Sequence, residues 1–448
     1  MKRRDFLRAG TVLGGTGLLG GLGLGLGQAA SSGDYKALVC LYLNGGNDGN
    51  NTLIPTDGAY SDYAAARPVL ALPKDSLAAL SGSSAGHTFA LHPALAPLAE
   101  LYNQKRLAWI ANAGPLIVPS TAEQVINNAV PLPPFLMSHS DQTAIQQGWG
   151  GDADASGWGG RALELMPTTL FNPLRAMTMN QERTLVLGRN SPVSLMTPGG
   201  TQYWGRADLA QPQTPWAQAL NTMARWQFGN DYESGFARNF AASVDDATLL
   251  VKVLASAQAP KANFAGDDLA VNLRSLASVM PVFKAMGYRR QIFLVSWGGF
   301  DTHFDQRGTQ ARTQDAQLSV VGNAVAAFDQ ANRASGIDLD VTTLMMTDFG
   351  RTLRPASGAG SDHAWGNHWF VLGGAVAGGQ VIGQFPSLLL GGRDDGDPGG
   401  GGRMVPTTST EQVAATLMQW MGLPDAALPS VFPTLANFSS HKLAFLRG

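Results

Sequence analysis

Four stretches of the chain are apolar runs too short for helices: KALVCLYL at Lys36–Leu43, LAWIANA at Leu107–Ala113, QIFLVS at Gln291–Ser296 and VTTLMM at Val341–Met346. Continuous apolar runs of this length predict strands buried on both faces, as in the interior of a parallel sheet. Between them, helical patterns run over about His92–Gln104, Asp267–Gly287 and Ala311–Ser335, and a further helix opens at Ser138. Strand–helix–strand order lays successive strands parallel and delivers their C-terminal ends to one edge. The fold class expected is therefore α/β, a mostly parallel central sheet flanked by helices. Trp369–Leu372 reads as one more strand and Thr410–Met421 as a last amphipathic helix, with Ser409 as N-cap and Gln412 completing a capping box. Residues 148–265 are less regular. Arg183–Leu187 reads as a short strand there, Trp216–Phe228 and Asp245–Ala257 as helices, and the region is expected to be a helical insertion in a single domain spanning 34–448. Gly391–Gly402 reads as a mobile Gly/Asp-rich loop.

Three of these strands run into glycine and then into titratable side chains. Lys36–Leu43 leads to NGGNDGNN with Asp48, Gln291–Ser296 to WGGFDTH with Asp301 and His303, and Val341–Met346 to Asp348, Arg351, Asp362, His363 and His368. Charged groups beyond a buried strand are costly unless they pair or bind a metal, and open α/β sheets place their ligands at this edge. Carboxylates with imidazoles suit zinc, manganese or iron, whereas carboxylates alone suit magnesium or calcium. A divalent metal ion is the expected cofactor, with Asp48, Asp301, His303, Asp348, Asp362, His363 and His368 as candidate ligands. Ser138 starts a helix, where free N–H groups and the dipole favour a nucleophilic hydroxyl or a bound oxyanion. The competing reading of Ser138 is a plain helix cap. His92, also at a helix start, reads as structural.

Composition narrows the class further. With 31 basic against 33 acidic residues in 448, the chain has no basic surplus to offer a nucleic acid. The N-terminus, MKRRDFLR followed by a glycine-diluted apolar stretch ending in Ala29 and Ala30, looks like a twin-arginine export signal over residues 1–30. Its apolar segment is broken by glycine too often for a stable membrane span. Cleavage there removes Lys2, Arg3, Arg4, Asp5 and Arg8, a net +3, so the formal charge moves from −2 to −2 − 3 = −5. The expectation is a periplasmic or secreted protein that has met the twin-arginine export machinery. Cys40 is the sole cysteine, so no internal disulfide staples the chain.

NGGNDGNNTLIP at Asn44–Pro55, SHSDQ at Ser138–Gln142, GGFDTH at Gly298–His303, and TDFGRT with SDHAWGNHWFVLGG at Thr347–Gly374 resemble a bacterial family of twin-arginine-exported proteins known only as domain of unknown function fifteen-oh-one. That family is similar to the alkaline phosphatase and sulfatase superfamily, which holds one or two metal ions at the C-terminal edge of an α/β sheet. The resemblance implies that Asp48 corresponds to the first metal-binding aspartate and that Asp301 and His303 correspond to the central pair. The final ligands stay open: Asp362 and His363 with His368 last, or Asp348 with His363 last. The nucleophile falls to Ser138, with Ser140 second. Cys40 lies inside a strand without the following Pro and Arg of a formylglycine sulfatase. What the resemblance implies is an exported metal-dependent hydrolase of phosphate or sulfate esters, acting on a small-molecule or glycan ester, with Arg351 stabilising developing negative charge. The alternative is a non-catalytic exported binding protein that retains the fold.

Overall fold

The computed structural model describes residues 34–148, 154–198, 213–226 and 228–447. The expected leader at 1–30, with Arg3 and Arg4, lies outside the described residues. At the centre, among the described residues, is a nine-stranded sheet. Its strands, in chain order, are β1 (Lys36–Leu43), β2 (Leu107–Gly114), β3 (Ala176–Thr178), β4 (Ser194–Leu195), β5 (Arg290–Trp297), β6 (Val341–Thr347), β7 (Asn367–Gly373), β8 (Val381–Ile382) and β9 (Thr408–Ser409). They lie in the order β8-β2-β7-β6-β1-β5-β3-β4, with β9 also paired to β2. Every pairing is parallel except those that β7 makes with β6 and β2. The mostly parallel α/β architecture is thus present, with one reversed strand.

Register fixes what the sheet edge can hold. Leu43 of β1 is level with Trp297 of β5 and with Thr347 of β6, so the three segments that follow leave the sheet side by side. Because β7 runs the other way, its first residues, Asn367 and His368, also start from this edge.

Helices cover both faces. On one side lie α1 (Ala96–Asn103) and, later in the chain, the long helices Asp268–Ala285 and Gln314–Ala334, which bury Leu273, Met280, Phe283, Val325 and Phe328 against Val39, Leu41 and Val295. The other face takes Trp158–Leu165 and Thr410–Met421, through Trp158, Leu163, Val413 and Leu417, against Leu38, Cys40 and Leu344. Alternate residues of β1 therefore feed two separate cores, which is why every residue after Lys36 is apolar. No described helix is long and apolar enough to cross a membrane.

Two expectations change. Residues 148–265 are not only helical: β3 and β4 extend the sheet beyond β5, alongside the helices Pro215–Ala224 and Asp231–Ser256. The strand expected at Arg183–Leu187 is instead a single 3₁₀ turn, Thr184–Val186, since the stretch beside β5 is taken by Ala176–Thr178. The Gly391–Gly402 loop is tied down, because the buried Asp395 carboxylate accepts from the backbone N–H groups of Gly391, Asp397, Gly402 and Arg403 at 2.9–3.0 Å.

Candidate metal centre

The loop after β5 carries Asp301 and His303, and the two-stranded ribbon Arg351–Pro355/Ser361–His363 after β6 brings back Asp362 and His363. A third element completes the group: α2 (His139–Gln147) presents its first residue, His139. Gly45 and Gly46, both at positive φ, let the loop after β1 pass close beneath; a Cβ on Gly45 would sit 2.5 Å from the Asp301 nitrogen.

Three imidazoles turn the same atom inward. The Nε2 atoms of His139, His303 and His363 lie 3.4, 3.0 and 3.5 Å from Asp301 Oδ1, and the Nε2 atoms of His303 and His363 are 3.0 Å apart. Their outer nitrogens each face an acceptor. His139 Nδ1 meets Asp348 Oδ2 at 2.6 Å, His303 Nδ1 meets Asp362 Oδ1 at 3.0 Å, and His363 Nδ1 meets the Met137 carbonyl at 2.7 Å. A carbonyl oxygen, or an ionised carboxylate, can only accept, so each Nδ1 donates and in the neutral rings each Nε2 carries a lone pair. Lone pairs packed around a carboxylate oxygen repel one another unless a proton or a metal ion lies among them. His139 Nε2 is buried and has no hydrogen-bond partner among the described residues.

The spacing fits a metal. Bonds of about 2.0 Å at tetrahedral angles separate ligand atoms by roughly 3.3 Å, within the range of the contacts above. His139, Asp301 and His363 all offer ligand atoms within 4.8 Å of one another, with His303 beside two of them. The outer partners match the carboxylate–histidine–metal arrangement that fixes tautomer and ring direction.

Charge is balanced unevenly. Asp348 pairing raises the His139 pKa against the effect of burial. Burial alone would raise the Asp301 pKa, but Arg351, His139 and His303 together hold it below the usual carboxylate range. His363 is lowered by burial and by the neighbouring cationic groups, despite its bond to Met137. Met137 itself has φ 70°, an uncommon conformation for a residue with a side chain, at the point where its carbonyl receives the imidazole.

The structure thus brings Asp301, His303 and His363 together, and puts Asp348 and Asp362 one step out as their imidazole-holding partners. Asp348 accepts from Gly45, Gly46, Thr347 and His139, so its oxygens are already engaged. Two candidates lie elsewhere. Asp48 is buried against Arg67 and also accepts from Asn50 N and Gln306 Nε2, so donors of the chain itself already meet its oxygens. His368 is buried, its Nδ1 accepting from Asn112 N at 3.1 Å and its ring stacked on Phe385; burial lowers its pKa to about 3. Ser138 Oγ donates to Asp141 within the first turn of α2 rather than to the centre. Arg351 is buried, bonded to Asp301 and to the carbonyls of Gly45, Gly46, Phe300 and Ser361, so it orders the loops more than it faces outward. His139 escaped the sequence reading. It stands inside SHSDQ, where the reading went to Ser138 and Ser140 as nucleophile or cap; its signal was an imidazole at a helix start with no apolar neighbour to bury it.

The chain belongs to the family described as "Protein of unknown function (DUF1501)", which matches residues 35–423. Among solved structures it is similar to the lipoteichoic acid synthase LtaP from Listeria monocytogenes, at 10% identity and a TM-score of 0.34, covering 87% of this chain and 72% of that one. It is also similar to the PsFucS1 sulfatase from Pseudoalteromonas sp., at 8% identity and TM-score 0.32, covering 89% and 70%. The phosphonate monoester hydrolase SpPMH from Silicibacter pomeroyi gives 9% identity and TM-score 0.31, covering 87% and 74%. No activity or residue role passes to this chain at such scores. No curated protein matches it.

Proposed function

We propose that this protein is an exported metal-dependent hydrolase of phosphate or sulfate esters, with His139, His303, His363 and Asp301 as the residues that hold the ion. The observation that carries this is the convergence of three Nε2 atoms on Asp301 Oδ1. Three nitrogens with one oxygen favour zinc, manganese or iron over magnesium or calcium. An ion bound there supplies an electrophile for the ester oxygen and a water of lowered pKa. The chain's own part is to hold that position: Arg351 keeps Asp301 ionised and aimed, while Asp348 and Asp362 hold His139 and His303 with their lone pairs inward. Asp301 is half exposed, so a small-molecule or glycan ester has an approach from solvent. With Ser138 engaged by Asp141, water suits the role of nucleophile better than the serine does. Export through the twin-arginine route, which carries folded proteins, agrees with a centre built from three distant parts of the chain.

The test is metal content by mass spectrometry on natively exported protein, beside a His139→Ala/His363→Ala variant, followed by hydrolysis of p-nitrophenyl phosphate and p-nitrophenyl sulfate. Stoichiometric zinc, manganese or iron, lost in the variant, with metal-dependent release of nitrophenol is the expected result. A metal-free wild type that folds normally would refute the centre. Bound metal without turnover of either ester would leave the non-catalytic binding protein as the reading.

A further inference from the structure

His363 is the one imidazole of the centre whose outer nitrogen is held by a backbone carbonyl rather than by a carboxylate. Its ring direction therefore depends on where two backbone segments sit. Met137 belongs to the approach to α2, and His363 ends the ribbon strand Ser361–His363. What holds that strand end from behind is the Gly/Asp-rich loop. Arg403 Nε donates to the His363 carbonyl at 3.0 Å, and its Nη1 is fixed by Asp397 Oδ2 at 2.7 Å. Asp397 is itself set by the N–H groups of Gly399 and Gly401, at 2.9 and 3.1 Å, and Asp395 ties the two ends of the loop together. The same loop grips the partner strand, since Gly402 and Gly401 carbonyls accept from Leu353 N and Arg354 N at 3.0 Å.

A glycine-rich segment gains little by being ordered so heavily unless its order serves another group, because each glycine loses more conformational freedom than any other residue. We infer that Arg403, held by Asp397, is a positioning residue for the metal centre: it fixes the His363 carbonyl so that Nδ1 reaches Met137 and Nε2 faces Asp301. This rests on the metal reading above. Lysine at 403 would keep the charge but lose the forked geometry that reaches two acceptors at fixed angles.

Two measurements on the full chain separate the two ideas. Zinc affinity by chelator competition is expected to fall about tenfold in Arg403→Lys, the usual scale for an outer-shell change, while the thermal midpoint of the metal-free protein stays put. Long-range ¹H–¹⁵N NMR of metal-free protein reads the His363 tautomer directly. Wild type is expected to be Nδ1-protonated, and Arg403→Lys to lose that preference. If Arg403→Lys fails to fold, Asp397→Asn is read the same way. Unchanged zinc affinity and an unchanged tautomer would overturn the positioning role. Should wild type take up no zinc, manganese or iron, the hydrolase reading fails, and the tautomer comparison alone then decides: a shift supports the role of Arg403 in holding His363 and no shift refutes it.

Discussion

Asp48 follows β1 and Asp301 follows β5, neighbouring strands whose ends are level, yet the two carboxylates live in different surroundings. Asp48 is fully buried and closed: Arg67 supplies the countercharge, Gln306 and Asn50 the remaining donors, and Arg67 in turn bonds to Asn51 and the Thr352 and Leu353 carbonyls. Asp301 is half exposed and open. It has one guanidinium on it, and the three imidazoles around it, in their neutral form, bring lone pairs rather than donors, so the assembly leaves room for a further positive charge, a proton or a metal ion. A carboxylate at a strand end is thus not in itself a ligand. What decides is whether the fold has already met the carboxylate with a full set of donors.

The largest effect follows from breaking the closed site. Arg67→Met leaves the buried Asp48 charge unpaired, which typically costs 3–5 kcal/mol. Denaturant unfolding of the metal-free protein should show that loss, and a change below about 1 kcal/mol would mean that Asp48 is not closed in the sense argued here. The open site should answer differently. His139→Ala removes an inward lone pair, so zinc affinity should drop by at least the roughly 10- to 100-fold of an outer-shell change, while metal-free stability falls less than in Arg67→Met, relief of the inward repulsion offsetting part of the lost Nδ1–Asp348 bond. Equal zinc affinity in that variant would remove His139 from the centre.

Glu411 lies between the two extremes. One of its oxygens accepts from Thr434 N and Oγ1, and the other is buried without a partner. Burial pushes its pKa from 4.5 up to about 7, against the pull of Thr434, Leu435 and Arg161. The folded chain therefore holds a proton that the unfolded chain releases between these values. The resulting stability is full below pH 4.5 and is lost as pH rises through about 7, by roughly 3 kcal/mol at ~1.4 kcal/mol per unit. Glu411→Gln should flatten that slope in denaturant titrations at pH 5 and pH 8. A slope that survives the substitution belongs to another group.

The same contrast explains what the amino-acid sequence disclosed. β1, β2, β5 and β6 were legible because both faces of each are buried, which gives each a continuous run of mostly apolar residues. The capping box at Ser409 and Gln412 was legible because it is local. β3 and β4 were not, being three- and two-residue strands at the sheet's far side, where pairing depends on the neighbouring strand, β5 for β3 and β3 for β4, rather than on their own pattern. Loops bearing Asp301, His303 and His363 could be found by their glycine-then-charge signature. Whether a given aspartate is closed could not, since Arg67 sits in no motif and meets Asp48 only through the fold. His139 was hidden by the same limit, as its partner Asp348 is 209 positions away.

The smallest expected effect probes that last contact. In Asp348→Asn the amide oxygen can still accept from Gly46 N and Thr347 Oγ1, so the loop after β1 keeps its bonds. The amide nitrogen, however, would then face His139 Nδ1 as a donor. A neutral imidazole meeting a donor there moves its proton to Nε2, and an Nε2–H cannot ligate. Outer-shell changes of this kind weaken metal binding by about 10- to 100-fold. The pH profile sharpens the test. Because Asp348 raises the His139 pKa, in wild type a proton competes for Nε2 over a wider acid range, and zinc affinity should fall as pH drops through that raised value. Asp348→Asn removes the carboxylate that raises it, so affinity should be lower at neutral pH, and the acid limb of its decline should begin at lower pH than in wild type. An unchanged profile would mean that Asp348 orders the β1 loop and leaves His139 to orient itself.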